Sequence, residues 1–161
     1  MGRGRKLITL STCVVLGALS AVATAQASDS SVRAAIESSS RQAKESGELQ
    51  QALKEIKDNP KTITKLQKGV KDFETTLSKV ADTVEAQEAS TSSGREGEAD
   101  WLGGIHKVIK GFKDLNTALS DLKSGHRTAA KTELKQAGAL VKEGAAMAKK
   151  GQTLLGVKQT G

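Results

Sequence analysis

Several residue types are nearly absent from this chain, and each absence excludes a class of chemistry. The 161 residues include one cysteine, no tyrosine, one tryptophan, two phenylalanines and one proline. Because the single cysteine, Cys13, lies in a predicted signal peptide, residues 28–161 contain no thiol and no disulfide. Two histidines, with no recognisable nucleophile or phosphate-loop motif, offer little material for catalysis. The sequence therefore predicts a protein that is not an enzyme.

The N-terminal residues have the pattern of a cleavable signal peptide. Three basic residues precede an uncharged stretch over residues 7–23, and small-x-small cleavage sites end at Ala25 and Ala27. The uncharged stretch is shorter than the roughly 20 apolar residues of a membrane-spanning helix. We therefore predict that residues 1–27 are removed and that residues 28–161 form a single secreted domain, extracellular or associated with the cell envelope.

Positive charge exceeds negative charge by a modest amount. The predicted signal peptide holds three of the 25 basic residues and none of the 18 acidic ones, so residues 28–161 carry a formal charge of +4. An excess of this size suits an anionic polymer or lipid surface, whereas nucleic-acid binders have denser basic clusters. We therefore expect no nucleic-acid partner.

An unbroken heptad pattern runs through the middle of the sequence. Spacings of three and four residues alternate along seven apolar positions: Ile63, Leu66, Val70, Phe73, Leu77, Val80 and Val84. Asn59 is a typical N-cap residue and Pro60 suits the first helical position, so the pattern predicts a helix that begins near Pro60. A less regular segment over residues 31–57 predicts a first helix antiparallel to it.

A second heptad pattern predicts a third helix over residues 101–123. Its apolar positions are Ile105, Val108, Phe112, Leu115, Leu119 and Leu122. Gly125 suits the end of this helix, because glycine readily adopts the left-handed conformation of a C-terminal cap. A fourth helix over residues 128–155 has a face of small residues, which permits close approach to a neighbouring helix.

The helices predict an all-α fold. Residues 89–100 are rich in serine, glycine and charge without an apolar period, so they predict a flexible linker. The linker would join two helical hairpins, over residues 31–88 and 101–155. We expect an up-down helical bundle of about four helices, in which exposed heptad faces would also allow a homo-oligomer.

The two histidines do not predict a metal or haem site. His106 and His126 would lie near opposite ends of one helix, roughly 30 Å apart at 1.5 Å per residue. One ion could not reach both side chains. We therefore expect solvated histidines and no cofactor.

Two cationic stripes form the candidate interaction surface. Over residues 101–113, apolar side chains share one helix face and lysines the other, which is typical of an interfacial helix and also of a helix packed on a core. On the fourth helix, lysines recur at spacings of 4, 7 and 7, a pattern that a solvated face also produces. The candidate residues are Trp101, Lys107, Lys110, Lys113, Lys131, Lys135, Lys142 and Lys149.

These features predict a secreted, non-catalytic helical protein that acts by binding. Its heptad faces would contact a protein partner, or its basic stripes an anionic polymer or surface of the cell envelope. Two alternatives stay open. A membrane-active protein would insert the amphipathic helix over residues 101–123 at a bilayer, and a carrier would hold a small apolar ligand beside the small residues of the fourth helix.

Overall fold

The computed structural model describes residues 29–38 and 60–157. Within these ranges the chain forms four helices and no strand, which confirms the predicted all-α bundle. The predicted signal peptide and the predicted first helix beyond residue 38 lie outside the described residues. The helices are α1 over residues 29–38, α2 over Pro60–Glu85, α3 over Ser92–Lys123 and α4 over Arg127–Leu154.

Helices α2 and α3 are antiparallel, as contacts between their polar side chains demonstrate. Gln67 Nε2 donates a hydrogen bond to Ser120 Oγ at 2.8 Å. Closer to the end of α2, Glu74 Oε1 lies 3.7 Å from Lys113 Nζ. The residue numbers of the contacts therefore increase along α2 while they decrease along α3, as in an antiparallel pair.

The two heptad patterns meet in one hydrophobic cluster. Phe73 is only partly buried, although it occupies a central heptad position, and its ring meets Phe112 edge-on with centroids 4.9 Å apart. A third helix contributes Ala137 to the same cluster, because α4 lies against α3. The buried members are Ile63, Leu66, Val70, Leu77, Ile109, Phe112, Leu115, Leu119 and Ala137.

A second hydrophobic cluster joins all four helices at the other end of the bundle. Trp101 is its largest side chain and is only 2% exposed. The side chains in this cluster come from both ends of the described chain, so it holds α1 against the other helices. Its remaining buried members are Val32, Ile36, Val80, Val84, Ala89, Ala148, Leu155 and Val157.

The flexible linker expected over residues 89–100 is mostly helix. Helix α3 begins at Ser92, and Thr91 Oγ1 caps it by accepting a hydrogen bond from the Gly94 backbone N–H at 2.9 Å. Gly94 and Gly97 are buried. The expectation was wrong for residues 92–100 because their glycines serve as contact points between chain segments, which an apolar period does not reveal.

The backbones of α3 and α4 are in direct contact along a line that we call the glycine seam. A Cβ atom added at Gly104 would lie 2.5 Å from the carbonyl oxygen of Gly144, and one added at Gly144 would lie 2.5 Å from the carbonyl oxygen of Gly104. Neither position therefore has room for a side chain. The seam repeats every seven residues on two antiparallel helices, and it consists of Gly97, Gly104 and Gly111 on α3 and Gly151, Gly144 and Ala137 on α4.

Gly125 forms the turn that makes this antiparallel contact possible. Its φ is +82°, in the left-handed region that favours glycine. The backbone N–H of His126 donates to the carbonyl of Asp121 at 2.8 Å, and that of Gly125 donates to the carbonyl of Leu122 at 3.2 Å. These bonds satisfy the last carbonyl groups of α3. Helix α3 thus ends where the glycine predicted its end.

Two polar side chains attach α1 to the rest of the bundle. The Asp29 carboxylate accepts hydrogen bonds from the backbone N–H groups of Ser90 at 2.9 Å and Thr91 at 3.3 Å, and from the Thr91 hydroxyl. Arg33 Nε donates to the carbonyl oxygen of Leu155 at 2.8 Å. Burial alone would raise the pKa of Asp29, but the hydrogen bonds from Thr91 and Ser90 outweigh burial and lower it.

Substitution of Gly104 or Gly144 by alanine tests the glycine seam. We expect each variant to lose about 1–3 kcal/mol of unfolding free energy, since the added methyl group overpacks rigid backbone. Gly138 is a matched control, because it lies inside α4 with no atom within 4 Å of an added Cβ. Gly138→Ala should gain about 0.5–1 kcal/mol. Urea denaturation followed by far-UV circular dichroism measures all three; wild-type stability in Gly104→Ala and Gly144→Ala would contradict the seam.

The lowered pKa of Asp29 predicts a pH-dependent contribution to stability. Asp29→Asn removes the charge, and we expect a loss of about 0.5–1 kcal/mol at neutral pH for this partly exposed group. Because the folded pKa lies below the unfolded one, the wild type keeps this stabilisation above about pH 4 and loses it as the pH falls through the folded pKa. The difference between wild type and variant should therefore shrink in acid. A difference that is constant between pH 7 and pH 2 would disprove the role of the carboxylate.

Candidate functional site

Trp101 does not lie on an exposed surface. Its indole is 2% exposed and packs in the cluster that joins the four helices. The expectation that it belongs to the interaction surface is therefore corrected: helix periodicity identified the apolar face of the segment, but not that α1, α2 and α4 cover it. Phe112, on the same face, is 8% exposed.

The exposed lysines of α3 are partly neutralised by neighbouring helices. Lys107 Nζ lies 3.3 Å from Glu143 Oε2 on α4, and Lys113 Nζ lies 3.7 Å from Glu74 Oε1 on α2. Lys110 is exposed between them. These ion pairs connect α3 to both neighbours, and surface pairs of this kind contribute about 0–1 kcal/mol each.

The four predicted lysines of α4 form a straight, exposed line that we call the lysine row. At about 100° per residue, their positions fall within a sector of about 40° on the helix. The first and last are 18 residues apart, so the row extends about 27 Å at 1.5 Å per residue. The members are Lys131, Lys135, Lys142 and Lys149, and all four are exposed.

Helix α4 has too few acidic groups to neutralise the lysine row. The helix contains six basic residues and two acidic ones, a formal charge of +4. Glu143 pairs with Lys107 on the α3 side, and Oε2 of Glu133 is shielded from solvent. In the part of the chain that the structure describes, no carboxylate forms an ion pair with a lysine of the row.

Lys150, which follows Lys149 but lies outside the row, is neutralised by two carboxylates of α3. Its Nζ lies 2.7 Å from Asp100 Oδ2 and 3.6 Å from Glu96 Oε1, both on α3. The hydrogen bond to Asp100 and the negative charges of Asp100 and Glu96 raise the pKa of Lys150. Lys149, the preceding residue, points away from these carboxylates because successive helical positions differ by about 100°.

Small residues flank the lysine row on its exposed side. A Cβ added at Gly138 would have no atom within 4 Å, so the helix surface there is open. The long lysine side chains therefore project beyond a low surface. The exposed small residues are Gly138, Ala139, Ala145 and Ala146. The spacing of the lysines predicted the row, but these small residues were not among the predicted site residues. Their positions between the lysines are the signal that indicates a low surface.

The inward-facing small residues of α4 lie against the α3 backbone. Added Cβ atoms at Gly144 and Gly151 would collide with α3 backbone atoms around Gly104 and Gly97. The space beside these residues, where the carrier hypothesis places an apolar ligand, is therefore occupied by α3.

Each histidine has an acidic neighbour of its own. His106 Nε2 lies 3.5 Å from Glu85 Oε1, and His126 Nδ1 lies 3.5 Å from Asp121 Oδ1. The two histidines are 20 residues apart, His106 within α3 and His126 just after its C-terminal end. Over residues 29–38 and 60–157, no three His, Cys, Asp or Glu side chains are grouped as metal ligands would be.

None of the helices described here combines the length and the apolar composition that crossing a bilayer requires. Comparison with known proteins gives no family assignment: no protein-family model matches the chain, and no curated protein or solved structure is significantly similar to it. The candidate site therefore rests on its own geometry and charge.

The burial of Trp101 predicts that anionic vesicles leave its environment unchanged. As the sole tryptophan, it reports on α3 directly. We expect no shift of its emission at physiological salt and no quenching by brominated lipids, because its indole is already covered by α1, α2 and α4. Strong quenching with dye leakage, both lost when Lys107, Lys110 and Lys113 are changed to glutamine, would instead favour insertion of α3.

Proposed function

We propose that this protein is a secreted, non-catalytic binding protein whose lysine row docks onto an anionic surface of the cell envelope. The observation that carries the proposal is the segregation of charge on α4. The row is exposed and has no carboxylate partner among the described residues, whereas Lys107 and Lys150 are paired nearby. Unpaired, aligned cations leave their full charge available to an external anion.

The strength of such docking follows from the number of lysines. Each lysine close to an anionic surface contributes about 1 kcal/mol at physiological salt. Four lysines therefore supply about 4 kcal/mol, which corresponds to a dissociation constant of about 1 mM for one isolated contact. The association would be reversible and sensitive to salt, and tight retention would require a dense anionic surface.

Apolar contact with a protein partner or a second copy has less support. The heptad faces are enclosed in the two hydrophobic clusters, and among the large apolar residues described, Leu154 alone is exposed, at 37%. Two copies that met through α4 would bring their lysine rows together, and like charges oppose that contact. The surface of the described bundle therefore exposes charged side chains and little large apolar area.

Membrane insertion of α3 is opposed by the free energy needed to remove this helix from the bundle. Its release would expose Trp101 and Phe112, at roughly 1.5–3 kcal/mol for each side chain. It would also separate the glycine seam, where α3 and α4 share their closest contacts. The lysine row reaches an anionic surface without any such rearrangement, so docking of the intact bundle is the favoured function.

A pair of charge-matched variants tests the proposal. Changing the four lysines of the row to glutamine should abolish retention on immobilised dextran sulfate at physiological salt, since the docking charges are gone. The control changes four exposed lysines of α2 to glutamine, namely Lys65, Lys68, Lys71 and Lys79. It loses the same net charge and should keep most of the retention.

The measurement is the salt concentration that elutes each protein. Both variants should show the wild-type circular dichroism spectrum, because all eight side chains are exposed. Equal elution of the two variants would mean that net charge alone governs binding, and the lysine row would then have no special role.

A further inference from the structure

The positive charge of the lysine row forms a narrow strip. Its sector of about 40° is far narrower than the exposed half of a helix. The residues that flank the strip on α4, Gly138, Ala139, Ala145 and Ala146, carry no charge. A flat bilayer would contact these neutral flanks as well as the strip, whereas a single extended chain would contact the strip alone.

The surface beside the row also lacks the groups that anchor a helix in lipid. Interfacial helices insert large apolar side chains below the headgroups. Here the flanking residues are Gly138, Ala139, Ala145 and Ala146. Leu154, the one large apolar side chain exposed among the described residues, lies beyond the last lysine of the row. The low flanks leave room for a chain to lie close to α4.

The four members of the row are lysines, and the one arginine of α4, Arg127, lies one turn before the first of them. A lysine ammonium acts on phosphate as a point charge, whereas the planar arginine guanidinium imposes bidentate geometry. A line of point charges tolerates many registers. This suits a flexible polymer that repeats one charged group along its length.

The described residues expose no tryptophan or phenylalanine ring on which nucleic-acid bases could stack. Single-strand binders combine a basic groove with exposed aromatic side chains. Trp101 and Phe112 are buried, and Phe73 is partly buried with its ring against Phe112. A polymer bound by the row would therefore be recognised through its charges without base contacts.

We infer that the partner of the lysine row is an extended, base-free anionic polymer that lies along α4, with inorganic polyphosphate as its probe. This inference rests on the proposed function and specifies its anionic partner. One chain of sufficient length contacts all four lysines at once, so the second and later contacts are intramolecular. Chain length, and not phosphate content alone, then determines affinity.

Titration of the purified protein with inorganic phosphate chains tests the dependence on length. At equal total phosphate, long-chain polyphosphate should bind at least tenfold more tightly than tripolyphosphate, which cannot extend along the 27 Å row. The plot of log K against log salt concentration should have a slope of roughly −3, at about 0.7 per lysine contact on a single chain. Phosphatidylglycerol vesicles at the same phosphate concentration should bind more weakly.

An isomeric variant tests the alignment itself. The variant K131T/T132K/K135Q/Q136K moves two lysines by about 100° around α4 to positions that are also exposed. Its composition, length and net charge equal those of the wild type. We expect it to bind long-chain polyphosphate at least tenfold more weakly and to have a shallower salt slope by about 1.

The outcomes separate the inference from the proposed function. If the isomeric variant binds polyphosphate as the wild type does, while the four-glutamine variant does not, alignment is irrelevant and the inference fails with the function intact. Tighter binding to vesicles than to polyphosphate would also overturn it, in favour of lipid. If the four-glutamine variant binds every probe like the wild type, the proposed function fails as well.

Discussion

The backbone contact between α3 and α4 at the glycine seam determines where the other described elements lie. Since a Cβ at Gly104 or Gly144 would come within 2.5 Å of a carbonyl oxygen, the two helices are closer than side chains normally permit. At Gly104 and Gly144 backbone lies against backbone, so no side chain is buried at these two positions. The hydrophobic stabilisation must come from other surfaces, and α2 and α1 supply it by packing their apolar positions across the pair.

This division of roles explains why the two clusters differ. Where α2 covers α3, two heptad patterns meet and the core is rich in leucine, isoleucine and phenylalanine. At the other end, Trp101 fills the space among four helices, and Asp29 and Arg33 fix α1 there by hydrogen bonds to backbone groups. A large, rigid side chain suits a junction of several helices because it contacts all of them at once.

The sequence predicted those parts of the fold that depend on apolar periodicity and on single stop signals. The heptads of α2 and α3, the start at Pro60 and the turn at Gly125 are of this kind. It did not predict the first turns of α3, because a glycine buried in a helix contact and a glycine in a flexible linker look alike in the sequence. Gly97 differs from a linker residue only in that the backbone of α4 lies against it. The site was predictable in part: spacing located the lysine row, but the burial of Trp101 and the pairing of Lys107 depend on neighbours that one helix pattern does not specify.

The lysine row is not explained by the stability of α4. A helix whose inner face holds glycine and alanine gains from strong helix formers on its outer face, yet glutamate and glutamine have nearly the same helix propensity as lysine. Lysine at both positions 131 and 135 places like charges one turn apart, at a cost of about 0.2–0.5 kcal/mol. Because mixed charges would stabilise the helix better, helix stability does not account for a uniform row of one sign, and the proposed docking on an anion supplies a reason for it.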